Sequence, residues 1–144
     1  MPVWNSGAVN PLCFENVQRR FTKRLYGLKN KTYLERLRIL SLDTLELRRL
    51  KADLCLTYSI LQGLMSIDYA SFFTLRNDRR TRGHSLKLVV NKFKTNCRKY
   101  FFCNRVVSPW NSLPDNVVVA PSLPIFKKLL ASCDLTSFLQ RQYS

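Results

Sequence analysis

A chain of 144 residues, 46% apolar and 12% aromatic, is long enough to bury a real core and too apolar to be disordered throughout. Its 24 Lys and Arg against 9 Asp and Glu leave a formal charge of +15, which opposes compaction and implies a polyanionic partner. No apolar run approaches the roughly 20 residues a membrane helix needs, and Met1-Pro2-Val3-Trp4 does not open a signal peptide. An intracellular protein that meets nucleic acid, not membrane, is the expectation.

Residues 1–10, MPVWNSGAVN, read as an irregular lead-in. Asn10-Pro11 suits a helix start, because proline is tolerated in the first turn. From Pro11 to Leu25 the residues Phe14, Val17, Phe21 and Leu25 form an apolar stripe, with Arg19, Arg20, Lys23 and Arg24 over the remaining surface. Tyr26-Gly27-Leu28 stops this helix and Lys29-Asn30-Lys31 is a basic turn. Thr32 then caps a short helix, Tyr33 to Leu40, with Glu35 at the third position of a capping box. The longest rod runs from Asp43 to Gly63. Leu47, Leu50, Leu54, Tyr58 and Leu61 stripe it, Asp43 and Glu46 are its expected capping pair, and Gly63 is its left-handed stop. Cys55, Leu56 and Ile60 widen the apolar face, so contact on two sides is expected. Asp68 opens a short turn that ends in Phe72-Phe73.

At Arg76 the composition changes. Ten Lys or Arg and one acid, Asp78, occupy Arg76–Arg105, a local charge of +9. A loop to His84, a short strand over Ser85–Val90 and a turn at Asn91–Thr95 are predicted. A helix from Cys97 to about Ser108 follows, ended by Pro109, with Trp110 to Pro114 as a rigid corner. Val117–Val119 is extended or briefly helical. Leu123 to about Ser132 is the last helix, with Phe126, Leu129 and Leu130 inward and Lys127 and Lys128 outward, and Phe138-Leu139 adds a final turn. The fold class is mainly α: a compact bundle of about five or six helices with at most one short β-hairpin, near Leu86–Phe93. It forms one domain over 1–144, a helical half at 11–75 around the 43–63 rod and a basic half at 76–144.

Catalytic chemistry is hard to assemble from these residues. A two-metal centre holds its ions about 3.5–4 Å apart with shared carboxylates, yet no two acids are adjacent and Asp43 and Glu46 are assigned to a cap. There is no phosphate-binding glycine loop and no nucleophile elbow. Cys13, Cys55, Cys97, Cys103 and Cys133 contain no CxxC pair, and His84 is the only histidine, which is poor zinc arithmetic. Reduced thiols, no catalytic residue, no metal site and no cofactor are expected. His84 is left with three readings: a catalytic base, a phosphate or backbone contact, or a structural hydrogen-bonding residue.

The order of phrases is more specific than any one of them. VQRRFTKRLYGLKNKTYLERLRILSLDTLELRRLKADLCLTYSILQG, IDYASFFTL, TRGHSLKL, RKYFFCNRVVSPWNSLPDNVV and APSLPIFKKLL resemble, in this order, the C-terminal end of reverse transcriptases of jockey-like LINE (non-LTR) retrotransposons. The resemblance runs from about Pro2 to Leu139, and TRGH and FFxNRVVxxWNSLP are its most specific parts. It implies thumb and post-thumb structure that holds template and primer without polymerase activity of its own, since the paired-aspartate turn of the palm is not in this sequence. The implied partners are template or primer nucleic acid and the missing palm and fingers. The abrupt lead-in reads as though an upstream polymerase had been cut away, leaving the first helix without a partner surface.

The residues expected to meet RNA or DNA phosphates are Arg79, Arg80, Arg82, His84, Lys87, Arg98, Lys99 and Arg105. Tyr100, Phe101 and Phe102 are assigned to core in preference to base stacking, and Trp110 to core. Two alternatives stand beside this reading: a helical module that binds a protein through its leucine faces, which an exposed apolar patch on the first helix would favour, and a functionless remnant of the element.

Overall fold

The computed structural model describes residues 11–77, 82–90 and 102–139. The lead-in, the turn at Asn91–Thr95 and the start of the helix expected from Cys97 lie outside the described residues. The chain is mainly α-helical, as its periodicities predict. Its helices are α1 (Pro11–Arg24), α2 (Tyr33–Leu40), α3 (Leu45–Leu61), α4 (Phe102–Arg105), α5 (Val107–Ser112), α6 (Asp115–Val118) and α7 (Leu123–Ala131). Short 3₁₀ turns occupy Tyr69–Ser71 and Thr136–Phe138.

The chain divides into two compact units, and the division falls inside α3 between Arg49 and Leu50. The first unit holds the described residues up to Arg49, with Leu139. The second holds those from Leu50 to Phe138.

The first unit is organised by buried polar groups. Glu15, Thr22, Tyr33 and Arg36 are buried, with Leu28 and Leu37. Tyr33 Oη donates to Glu15 Oε1 and accepts from Gln18 Nε2 at 3.0 Å. The other Glu15 oxygen accepts from Leu45 N at 2.9 Å, so a carboxylate from α1 satisfies one of the orphan amides that open α3. Arg36 donates to Thr22 Oγ1 (3.1 Å), to the Lys31 carbonyl (2.6 Å) and to the Arg19 carbonyl (3.2 Å). The expected stripe of α1 is not the covered face: Phe14, Val17 and Phe21 are 51–63% exposed. Periodicity groups residues on one face, and here the Glu15–Gln18–Thr22 face, one step around the helix, is the one that packs.

The capping box on α2 is as expected. Glu35 N donates to Thr32 Oγ1 at 3.3 Å, and Thr32 N donates to Glu35 Oε2 at 2.8 Å. These bonds hold the Glu35 carboxyl below its ordinary pKa. The cap of α3 is different from the expected one: Thr44 Oγ1, not Asp43, accepts from Leu47 N at 3.2 Å. At the other end Gly63 N reaches the Ile60 carbonyl and Leu64 N the Ser59 carbonyl, the paired closure that a left-handed residue permits, and Gly63 has φ +69°. Ser41 closes α2 in the same way at φ 53°, without glycine's freedom.

The second unit has an aromatic core. Leu54, Tyr58, Val106, Trp110, Val118, Phe126 and Leu130 are fully buried. Tyr58 and Phe126 stack with centroids 4.4 Å apart, Trp110 lies 6.1 Å from Phe126, and Tyr58 Oη donates to the Ala120 carbonyl. Thr57 and Ser59 are buried beside them because their hydroxyls bond back to the carbonyls of Asp53 and Cys55. Ile60 joins this wider face, whereas Leu56 stays exposed. Pro109 does not end a helix. The helical run breaks at Val106, and Pro109 falls in the first turn of α5, where its missing N–H has no intrahelical acceptor to lose. The corner shrinks to Leu113-Pro114, and 115–118 is the brief helix α6.

Candidate nucleic-acid interface

Among the described residues of the basic segment, the chain bends at Arg82, Gly83 and Ser85 and then runs to Val90 with one antiparallel bridge, Leu75 with Leu88. Arg76 N donates to the Lys87 carbonyl at 2.7 Å and Val89 N to the Thr74 carbonyl at 2.8 Å. The bridge partner lies before the loop, and the far side of the hairpin expected near Leu86–Phe93 lies outside the described residues.

Two side chains hold the segment's opposite side. His84 Nε2 faces the Trp110 carbonyl at 3.0 Å, so this nitrogen carries the proton and donates. Trp110 Nε1 donates to the Leu86 carbonyl at 2.9 Å. Asn111 takes both main-chain groups of Leu88: its Oδ1 accepts from Leu88 N at 2.8 Å and its Nδ2 donates to the Leu88 carbonyl at 2.9 Å. The Trp110-Asn111 dipeptide thus meets the His84 side chain and the main chain of Leu86 and Leu88. His84, Leu86 and Leu88 of the one phrase and Trp110 and Asn111 of the other are therefore one physical assembly.

This clamp decides what each predicted contact residue can do. Arg82 is exposed at the start of the loop. Lys87 Nζ donates back to the Arg82 carbonyl and lies across Gly83, where an added Cβ would come within 3.1 Å of it. Gly83 holds φ +108°, a conformation that favours glycine, whereas the flexible Lys87 tip could move aside for a Cβ. His84 is only 3% exposed, its ring edge-on to Trp110 with centroids 6.0 Å apart, and its Nδ1 has no partner among the described residues. Burial lowers its pKa; the Trp110 carbonyl opposes this, Lys87 adds to it and Asp115 opposes it. In this structure His84 makes a buried hydrogen bond to main chain, the arrangement its structural reading describes. Arg105 pairs with Asp53 in a two-point fork of 2.7 and 3.0 Å. It is mostly buried and ties α4 to α3 within the second unit. Arg79, Arg80, Arg98 and Lys99 lie outside the described residues, as do Tyr100 and Phe101. Phe102 packs edge-on against Phe73 at 5.9 Å.

Within the basic segment, the exposed cations among the described residues are thus Arg82 and Arg76, and the sequence reading passed over Arg76 although it stands at the head of the stretch. Asn111 and Trp110 were missed as positioning groups. Their only signal was the period of two at 84, 86 and 88, which announces an extended segment without naming what covers it. No cluster of metal-ligating side chains occurs among the described residues. Cys55 and Cys133 are free, and burial pushes both thiols up, away from nucleophilic thiolate. No described helix is long and apolar enough to cross a membrane.

Compared with protein-family models, with curated proteins and with solved structures, the chain has no match.

Proposed function

We propose that this chain binds the sugar–phosphate backbone of nucleic acid through the Arg76–Arg105 segment, as a non-catalytic thumb and post-thumb portion of a non-LTR retrotransposon reverse transcriptase. In that role it steadies template or primer for the palm and fingers that carry the chemistry. The observation that supports the reading most is the clamp. Trp110 and Asn111 fix the chain on which Arg82 and Lys87 sit, so charge is presented from a rigid support and not from a freely solvated tail. The residues proposed to meet phosphates are then Arg76, Arg79, Arg80, Arg82, Arg98 and Lys99, with Lys87 bracing the loop through the Arg82 carbonyl and His84 and Arg105 serving the scaffold.

Backbone neutralisation makes affinity fall with salt, with a slope of about 0.9 per phosphate on duplex DNA. The test is anisotropy of a labelled RNA–DNA hybrid titrated with the full chain across a salt series. Arg82→Ala lowers the slope by about 1 and weakens all sequences alike. Lys127→Ala and Lys128→Ala, on the outer face of α7, are the charge-matched controls. If they lower the slope as much as Arg82→Ala, only net charge is at work and the localised interface is wrong.

The exposed stripe Phe14, Val17 and Phe21 favours a second reading, a helical protein-interaction module. Under that reading Phe21→Glu abolishes partner binding and leaves the salt slope on nucleic acid unchanged.

A further inference from the structure

The end of α1 and the turn after it enclose an open depression of about 500 Å³, lined by Lys23, Arg24, Leu25, Tyr26, Gly27 and Lys29. Tyr26 is 103% exposed, its whole ring in solvent. Leu28 N donates to the Leu25 carbonyl at 3.2 Å and closes a turn whose third residue, Gly27, has φ +74°. A type II turn needs that conformation at that place, and the residue before it occupies the outer corner. Leu28 is buried and anchors the turn from below. Tyr26 is thus held outward by the backbone itself.

The charge around the ring has one sign. From Asn16 to Leu34 the chain carries Arg19, Arg20, Lys23, Arg24, Lys29 and Lys31 and no carboxylate. The negative end of the α1 dipole, which would oppose an anion, is offset by the Arg36 guanidinium on Thr22 Oγ1 and the Arg19 carbonyl.

We propose that this turn is a second nucleic-acid site, specific for single strands, in which a base stacks on Tyr26 and the flanking phosphates meet Lys23, Arg24 and Lys29. The inference rests on the nucleic-acid reading above and assigns it a place in the first unit, separate from the Arg82 loop. An aromatic face amid cations recognises any unpaired base, because every base has a π face, whereas a duplex offers none along its length. A lipid surface is the competing anion. It fits less well: Lys23 follows Phe14 by nine residues, about two and a half turns at 3.6 residues per turn, and so points away from the exposed apolar stripe. Arg24, seven residues after Val17, lies on the stripe's side, so a bilayer that took the stripe and Arg24 would leave Lys23 unengaged.

The test is anisotropy of the full chain with a labelled oligothymidine and with an abasic strand of the same length. Tyr26→Ala weakens oligothymidine binding about tenfold and leaves abasic binding unchanged. Tyr26→Phe, which keeps the ring, retains the parent's affinity. Lys23→Ala and Lys29→Ala each lower the salt slope by about 0.7, the single-strand value per phosphate. Tyr26 makes no core contact, so loss of fold does not cloud these variants. If Tyr26→Ala binds oligothymidine as the parent does, the site is wrong while the backbone-binding reading stands. If the parent binds neither strand nor a hybrid at low salt, both fall. If Tyr26→Ala instead abolishes binding to phosphatidylserine vesicles and spares oligothymidine, the turn is a lipid site and the proposal is overturned.

Discussion

The two units solve the problem of a core in opposite ways. The second buries a large aromatic cluster around Trp110, Tyr58 and Phe126 and adds hydrogen bonds at its margin. The first buries a carboxylate, a hydroxyl, a phenol and a guanidinium, and leaves the apolar stripe of its first helix in solvent. Burial of apolar area is tolerant of small errors, because it is non-directional. A polar network is not tolerant, since each unpaired buried group carries its full desolvation cost. The second unit should therefore lose stability in proportion to the volume removed, and the first in proportion to the bonds broken.

The largest effect expected is at Trp110. Trp110→Ala removes a fully buried ring and should cost about 3–5 kcal/mol in denaturant melts. A result within about 0.5 kcal/mol of the parent, the range of surface changes, would show that the aromatic cluster is not what holds the second unit.

Glu15 comes next. Glu15→Ala deprives Leu45 N and Tyr33 Oη of their acceptor, and a hydrogen bond to a charged group contributes roughly 1.5–3 kcal/mol. The readout that separates this from a general loss is hydrogen exchange at the Leu45 amide, which should accelerate more than amides in α7. Equal acceleration in both places would mean that the contrast between the units is false.

Ser41→Gly works in the other direction. Relieving a left-handed serine gains about 1–2 kcal/mol, and glycine's extra chain entropy takes back roughly 0.5–1 kcal/mol. A net gain of about half a kcal/mol is expected, seen as a higher melting midpoint. A lower midpoint would show that the serine side chain contributes something the backbone geometry does not reveal.

The smallest effect is pH-dependent and belongs to the second unit. Burial depresses the His84 pKa below its ordinary 6.5, so between the two values the unfolded chain binds more protons than the folded one. The associated stability is complete above pH 6.5 and declines as pH falls towards the depressed folded value. Acidification also raises the net charge of the whole chain, so the diagnostic is a difference: the parent's midpoint should fall more steeply below pH 6.5 than that of His84→Gln. Parallel curves would remove His84 from the account.

How much of this was legible beforehand depends on the range of the signal. The Thr32–Glu35 box, the Gly63 stop and the bounds of α2 were readable because capping is decided within four or five residues. Thr44 displaced Asp43 as the α3 cap by a margin of one residue, which sequence spacing cannot resolve. The facing of α1 was not readable, because Glu15 became a core residue only when Tyr33 and Leu45 arrived from elsewhere in the chain. Of the candidate contacts, Arg82 was legible as an exposed loop cation. The inward turn of Arg105 required Asp53, 52 residues away, and that of His84 required a carbonyl 26 residues away. Basic composition marks a segment, and only tertiary partners sort its cations into those that face out and those that do not.

The amide of Asn111 has one further consequence. An extended segment with an open row of main-chain donors and acceptors is a template on which another molecule can add a strand and start aggregating. Segment 86–90 is rich in leucine and valine and would be such a template. Its first margin is closed at the Leu75 bridge, and a single asparagine side chain occupies the Leu88 pair on the other. Asn111 thus acts as a molecular plug: it mimics one peptide unit of a neighbouring strand and occupies the Leu88 pair that an added strand would need.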